Sequence, residues 1–224
     1  MTINTLGKRL PSSLKKILKP IAPKLSLPRG GKPYELKHQY TVVSAVYNME
    51  LYLDDYFSCI FNQTCNTTNI RIILVDDGSV DRSPTIIEGW QKRYPNQITY
   101  LHQKNAGPGA ARNRGLDAVT TEWVTFIDSD DKIEPNYFEE VDKSISNHPS
   151  LIMATCRLYY WYMATNKLQK ESAIMQHFGK GENLYYAVGD EQMPPAFFMN
   201  ATFFKTDLIR ENHILIDKQL RPNF

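Results

Sequence analysis

The sequence predicts an α/β protein with a mostly parallel central sheet, and three observations carry that prediction. Short β-branched runs alternate four times with segments of helical spacing over about a hundred residues, the mark of strand–helix units that build parallel sheets. Two of those runs, "IRIILVDD" and "WVTFIDSDD", end abruptly in acids, as strands do when they deliver side chains to one edge of a sheet. The aromatic and aliphatic content is that of a globular protein, and 224 residues suffice for one substantial domain plus appendages.

The elements follow in order. Residues 1–39 hold Pro11, Pro20, Pro23, Pro28, Pro33 and the Gly30–Gly31 pair, a composition that reads as an arm and linker. Within it "SSLKKILKP" can form a basic amphipathic turn or two, with Leu14, Ile17 and Leu18 on one side, until Pro20 stops it. "YTVVSAV" (40–46) is the first buried strand, and residues 50–63 place Leu53, Phe57, Ile60 and Phe61 at helical spacing. Residues 70–77 form the second strand. Residues 82–94 form a helix that tolerates Pro84 in its first turn.

"ITYLHQ" (98–103) is the third strand, and the small-residue stretch 107–119 reads as a helix despite its glycines. Residues 122–128 form the fourth strand, and 135–147 a helix with Phe138, Val141 and Ile145 inward. Beyond Leu151 the alternation fades. "LIMATCRLYYWYM" is strand-like, Thr165–Asn166 suits a hairpin turn into "KLQKESAI", and residues 178–200 are loop-rich. Residues 206–212 suggest a short helix with Thr206 as its cap.

Composition narrows the function classes. No stretch reaches the ~20 apolar residues needed to span a bilayer, and the N-terminus lacks the apolar core of a secretory signal. Cys59, Cys65 and Cys156 form no CxxC pair and read as reduced thiols of a cytoplasmic protein. The five histidines have no zinc-binding spacing. Charge is lopsided: residues 1–40 carry nine Lys and Arg against Glu35 alone, hence +8, and the remainder carries −6.

The acids at the strand ends pose the chemical question. Asp128, Asp130 and Asp131 repel one another unless a cation or strong donors offset them, so they either face water in a turn or hold something positive. Each stretch also has an ordinary explanation. "DDGS" is a good turn by itself, "DSDD" suits the N-terminus of the helix that Pro135 opens, and Arg112 and Arg114 suit a solvated surface.

Taken together and in order, "SAVYN" (44–48), "VDDGSVD" (75–81), "NAGPGAARNRG" (105–115) and "IDSDD" (127–131) resemble the family 2 glycosyltransferases. The likeness covers roughly residues 40 to 140 and continues more loosely through Arg221. It implies the GT-A (Rossmann-like) nucleotide-diphospho-sugar transferase fold over 40–224, with 40–140 as donor-binding half and 141–224 as acceptor half. Such enzymes build bacterial capsule, teichoic acid or other cell-surface polysaccharide.

What the resemblance implies for individual residues is specific. Asp128 and Asp130, the DxD pair with Ser129 between them, would organise Mn²⁺ or Mg²⁺, hard cations that suit carboxylate oxygens. Asp131 is a candidate for sugar contact. Asp76 and Asp77 correspond to the acids that meet the donor base, commonly uracil, while Ala45, Val46 and Tyr47 lie where the base is wrapped. Arg112 would reach the diphosphate, and Asn105 and Gly107 would shape its loop.

The resemblance also implies an inverting reaction, which needs a carboxylate base for the acceptor hydroxyl. The motif that supplies it in relatives is expected just after "IDKQLRPNF", so the base is expected beyond Phe224, in a longer, multidomain polymerase. Asp190, Glu191 and Asp217 are acids of the acceptor half, and none inherits the role. The rival reading is a nucleotide-sugar-binding module without turnover. A nucleotidyltransferase is disfavoured, because "SAVYNME" lacks the Gly- and Lys-containing loop it would want after strand one.

The arm adds a partner. Its charge sits beside Leu10, Leu14, Ile17, Leu18 and Ile21, which suits the anionic inner face of a membrane. No aromatic residue punctuates residues 1–33 to stack on bases, which argues against nucleic acid; the other explanation is a disordered, solubilising tail. The intact chain is therefore expected to co-sediment with anionic vesicles at low salt, each basic residue contributing about 1 kcal/mol. Removing residues 1–35 should abolish this, and equal sedimentation of both chains would refute membrane docking.

Overall fold

The computed structural model describes residues 32–157, 160–162, 167–169 and 199–217. The arm through residue 31, the Thr165–Asn166 turn, the loop-rich stretch with Asp190 and Glu191, and residues 218–224 lie outside the described residues.

Strand β1 (Tyr40–Val46) is the pivot. It pairs in parallel with β2 (Ile70–Asp76) on one side and with β4 (Trp123–Phe126) on the other. Strand β3 (Ile98–His102) continues the parallel array beside β2. The far edge is antiparallel: β8 (Thr202–Lys205) lies between β4 and β5 (Met153–Thr155), so the order is β3-β2-β1-β4-β8-β5. Strands β6 (Tyr160–Tyr162) and β7 (Lys167–Gln169) pair antiparallel in a separate two-stranded sheet.

Both faces of the sheet are covered, which is why its strands are apolar almost throughout. Successive strand residues point to opposite faces. Val42, Val46, Ile72 and Leu74 join the larger core, under α1 (Leu53–Phe61), α2 (Ser83–Arg93) and α4 (Tyr137–Asn147). Val43, Ile73 and Val75 face the other way, under α3 (Pro108–Asp117) and α5 (Thr206–Glu211). Helix α1 buries Leu53, Tyr56, Phe57 and Ile60, one stripe at helical spacing. Helix α3 owes its position to its small residues. A Cβ on Gly115 would stand 2.5 Å from a Val43 methyl, so only glycine lets the helix lie this close to β1.

Several sequence expectations are corrected. Thr206 is the first residue of α5 rather than its cap; Lys205 precedes the helix and no side chain caps it, because β8 runs directly into α5. Helix α4 begins at Tyr137, not Pro135, whose carbonyl instead accepts the Thr64 N–H at 2.8 Å. The aromatic run after Leu151 is not one strand but β5 and β6, which belong to different sheets. Strand β8 has no counterpart in the sequence reading, since four residues carry too little periodicity. The three cysteines are free, and burial pushes the thiols of Cys59, Cys65 and Cys156 up to about 11, 12 and 12. Among the described residues, no helix is long and apolar enough to cross a membrane.

One polar knot ties the entry segment to the back of the domain. Asp142 of α4 is wholly buried and accepts from the Tyr34 hydroxyl (2.9 Å), the Tyr40 hydroxyl (2.8 Å) and the backbone N–H groups of Lys37 and His38. Removing that acceptor would strand several donors in the interior, each at a desolvation penalty. Asp142→Ala is therefore expected to destabilise the domain by about 3 kcal/mol. Urea unfolding with an unchanged m-value would measure it; a loss within ~0.5 kcal/mol, the usual range for surface changes, would refute it.

Candidate functional site

The β1–β4 ladder stops at Val43 opposite Phe126, and hydroxyl groups take over beyond it. Ser44 Oγ donates to the Ile127 carbonyl at 2.5 Å, and Ser129 Oγ donates to the Ala45 carbonyl at 3.1 Å. The Asp131 N–H closes a tight turn on the Asp128 carbonyl at 2.9 Å. The acidic tip is thus stitched to the carboxyl end of the central strand, with Ser129 buried as its anchor and Asp128 and Asp130 on either side. A strand that ends in carboxylates is held in place by side chains that are neither charged nor apolar.

The charges at this tip are partly answered. Arg112, on α3, pairs through Nη2 with Asp128 Oδ1. Its side chain is only 16% exposed, against 36% for Asp128, so the arginine comes from the wall and the acid stands at the opening. Asp130 lies at the rim. The enclosing crevice and then the Asp128 charge push its carboxyl up. Tyr52, just before α1, is within electrostatic reach: burial and then Asp130 raise its hydroxyl. Asp131 is half-buried in the same turn.

The second acid pair is built differently. Asp76, at the end of β2, is wholly buried. Its Oδ1 accepts the Ser79 N–H at 2.8 Å, and its Oδ2 meets the Tyr100 hydroxyl at 2.9 Å and His102 Nδ1 at 3.1 Å. Burial alone would raise this carboxyl, but the bonds from Ser79, His102 and Tyr100 outweigh it and hold it below its ordinary value. Asp77 is 3% exposed and organises the loop before α3: Gln103 Nε2 (2.7 Å) and the Ala106 N–H (2.8 Å) bind Oδ1, and the Gly107 N–H (2.8 Å) binds Oδ2. Gly107 has φ +90°, a conformation that glycine adopts without strain. The exposed Asn105 belongs to this loop.

The remaining wall is the turn after β1. Ala45 is half-buried, Val46 is buried, and Tyr47 is 47% exposed at the rim. Asn48 and Ser79 fasten this turn to the one after β2, by Asn48 N–H to Ser79 Oγ (3.0 Å) and Val80 N–H to Asn48 Oδ1 (2.9 Å). The fold therefore brings the named residues to the carboxyl edges of β1, β2 and β4 and to the start of α3. Unanticipated were Tyr100, His102 and Gln103, since only the β2–β3 register sets His102 beside Asp76. Asn113 was missed too. Its amide donates to the Ile216 carbonyl and accepts the Ile216 N–H, both at 2.8 Å, which ties the segment after α5 to α3.

Metal binding would draw on Asp128 and Asp130. Among the described residues, no group of three or more His, Cys, Asp and Glu side chains is placed to hold an ion by itself. Two carboxylates with further ligands from a bound phosphate is the usual arrangement for Mg²⁺, so the residues present fit a cation shared with a phosphorylated ligand.

Comparison with known proteins gives this edge a context. Residues 41–207 match the family model described as "Glycosyl transferase family 2". The minor teichoic acid biosynthesis protein GgaA of Bacillus subtilis (strain 168) is 30% identical over 185 residues, covering 81% of this chain and 40% of GgaA. The crystal structure of S. aureus TarS 1–349 superimposes with a TM-score of 0.60 at 21% identity, over 83% of this chain and 52% of that one. The mannosyltransferase PcManGT from Pyrobaculum calidifontis, solved with GDP-Man and Mn²⁺, gives 0.59 at 18% identity, over 92% of this chain and 54% of that one. At such identities the structures establish the α/β GT-A fold. The chain spans two fifths or less of the curated relatives GgaA, GgaB and EpsH.

The Asp76 environment has a pH signature. A carboxyl held below its unfolded value contributes stability above that value, and the contribution is lost as pH falls through the folded one. The stability gap between wild type and Asp76→Asn is expected to be largest at neutral pH and to shrink below about pH 4. Urea melts from pH 7 to pH 3 would show it; a gap that stays constant throughout would contradict the assignment.

Proposed function

The chain belongs to glycosyl transferase family 2, and from that premise we propose that it transfers a sugar from a UDP-linked donor to a cell-surface glycan or polymer, with inversion and with Mn²⁺ or Mg²⁺. The observation that carries this reading is the Asp128–Ser129–Asp130 tip, stitched to β1 and facing Arg112 across the carboxyl edge of the sheet. TarS structures with UDP and with UDP-GlcNAc, and PcManGT with GDP-Man and Mn²⁺, support the donor class and the cation. The likeness to GgaA supports a teichoic-acid-like acceptor.

The residues divide the work as follows. Asp128 and Asp130 would hold the cation, which when bound neutralises charge on the departing diphosphate. Arg112 supplies a permanent, forked cation for phosphate oxygens. Tyr47 offers its exposed ring to the base, against Ala45 and Val46. Asp76, held by Ser79, Tyr100 and His102, fixes the turn that would wall the base side of the crevice. Asp77 keeps the Asn105–Gly107 loop in place for the phosphates, and Asp131 lies in the turn that would meet the sugar.

Titration calorimetry with UDP and Mn²⁺ tests the reading. Wild type is expected to bind UDP in a Mn²⁺-dependent manner, more tightly than GDP or CDP. Asp130→Asn should lose a charge-assisted ligand and roughly a hundredfold in affinity, with its far-UV circular dichroism unchanged. Undiminished affinity in the folded variant would refute the metal role. Transfer with net retention would refute inversion, and binding without transfer or donor hydrolysis would leave a donor-binding module.

A further inference from the structure

We propose that Arg112 is a place-holding cation: it keeps Asp128 paired while the crevice is empty, and metal and diphosphate displace it together, so that neither is held well alone. The inference rests on the donor-site reading above and deepens it by assigning an order-enforcing role to a residue of α3.

The argument begins with burial. Arg112 is mostly enclosed, its Nε is buried without a hydrogen-bond partner, and among the described residues its ion pair is with Asp128, with Asp130 in electrostatic reach. A guanidinium never loses its charge, and an enclosed charge without a partner is strongly unfavourable. A bare divalent ion arriving at Asp128 must therefore take the carboxylate with which Arg112 is paired, and it meets a positive charge beside it. Among the described residues it also finds no closed set of protein ligands, since the acids at the tip form no metal cluster by themselves.

A diphosphate changes each of these terms at once. Its oxygens suit the forked guanidinium, so Arg112 can leave Asp128 without becoming unpaired. They also supply the ligands that the two carboxylates lack. The exchange is one ion pair, Arg112–Asp128, for two: Arg112 with phosphate and Asp128 with metal. Linkage then requires that the nucleotide raise metal affinity and the metal raise nucleotide affinity by the same factor. Asn113, the next residue, is pinned by its two bonds to Ile216, so α3 stays in place while the Arg112 side chain exchanges.

The test is Mn²⁺ binding to the full chain, read from the electron paramagnetic resonance signal of free Mn²⁺, with and without UDP. Without nucleotide, Arg112→Met should bind Mn²⁺ about tenfold or more tightly than wild type, because a neighbouring positive charge is gone and Asp128 is released. The gain should vanish in Arg112→Met/Asp128→Asn. UDP should bind more weakly to Arg112→Met and should enhance its Mn²⁺ affinity less than it does in wild type. Arg112→Gln, of similar polarity, serves if the methionine variant fails to fold by circular dichroism. Nucleotide-free Mn²⁺ affinity equal to or below wild type in the folded variant would overturn the proposal, as would wild-type Mn²⁺ affinity unaltered by bound UDP. Failure of wild type to bind UDP at saturating Mn²⁺ overturns the donor reading instead, and it is distinguished by the nucleotide-free comparison.

Discussion

Compensation of buried negative charge is the constraint on which the rest of the structure depends. A carboxylate withdrawn from water is tolerated only where donors or cations replace its hydration. Asp76 and Asp142 are wholly buried and Asp77 nearly so, and each is surrounded by several fixed N–H and O–H groups. Many of these donors come from loops, so the acids determine where the loops run. Asp77 sets the approach to α3, Asp76 ties the β2 turn to β3, and Asp142 draws residues 34–40 against α4. Charge compensation here does the work of loop folding, which apolar packing cannot do for segments this polar.

The acids at the β4 end follow the same rule with a different partner. The backbone there is held by neutral groups, Ser44 and Ser129, while among the described residues the Asp128 carboxylate is answered by a single side chain, Arg112. Fixed backbone donors cannot be exchanged without rebuilding a loop. A side-chain cation on a rigid helix can be exchanged by rotating a few bonds. The acid pairs at the ends of β2 and β4 thus differ in what they can do because their counter-charges differ in mobility.

Much of this was legible in the sequence, and the limits have physical causes. The four strands of the parallel array were visible because strands covered on both faces read as continuous β-branched runs, as in "YTVVSAV" and "IRIILVD". Strand β8 was not, because it is four residues long and its place between β4 and β5 is decided by distant pairing. The site motifs were legible as a set of acids, glycines and one arginine at strand ends. Their division into loop-holding and exchangeable acids was not, since nothing local in "VDDGS" reveals that His102 pairs beside Asp76 or that Gln103 turns toward Asp77. The turn explanation of "DDGS" and a place at the wall of the crevice are compatible, because the turn is what makes the wall.

That division bears on how a charged ligand could enter without the edge collapsing. If every acid here relied on a mobile counter-ion, an empty crevice would expose several unpaired carboxylates, and their repulsion would splay the loops. If every acid were saturated by backbone donors, the edge would be stable but would offer nothing to a cation. Saturating Asp76 and Asp77 leaves the wall rigid whether or not a ligand is present, and a single exchangeable pair at Asp128 confines reorganisation to one arginine side chain. Rigid walls with one replaceable contact lower the ordering penalty of binding, because few groups must be immobilised when the ligand arrives. The small residues of α3 belong to the same arrangement: Gly115 seats the helix directly on Val43, so Arg112 projects from a closely packed base.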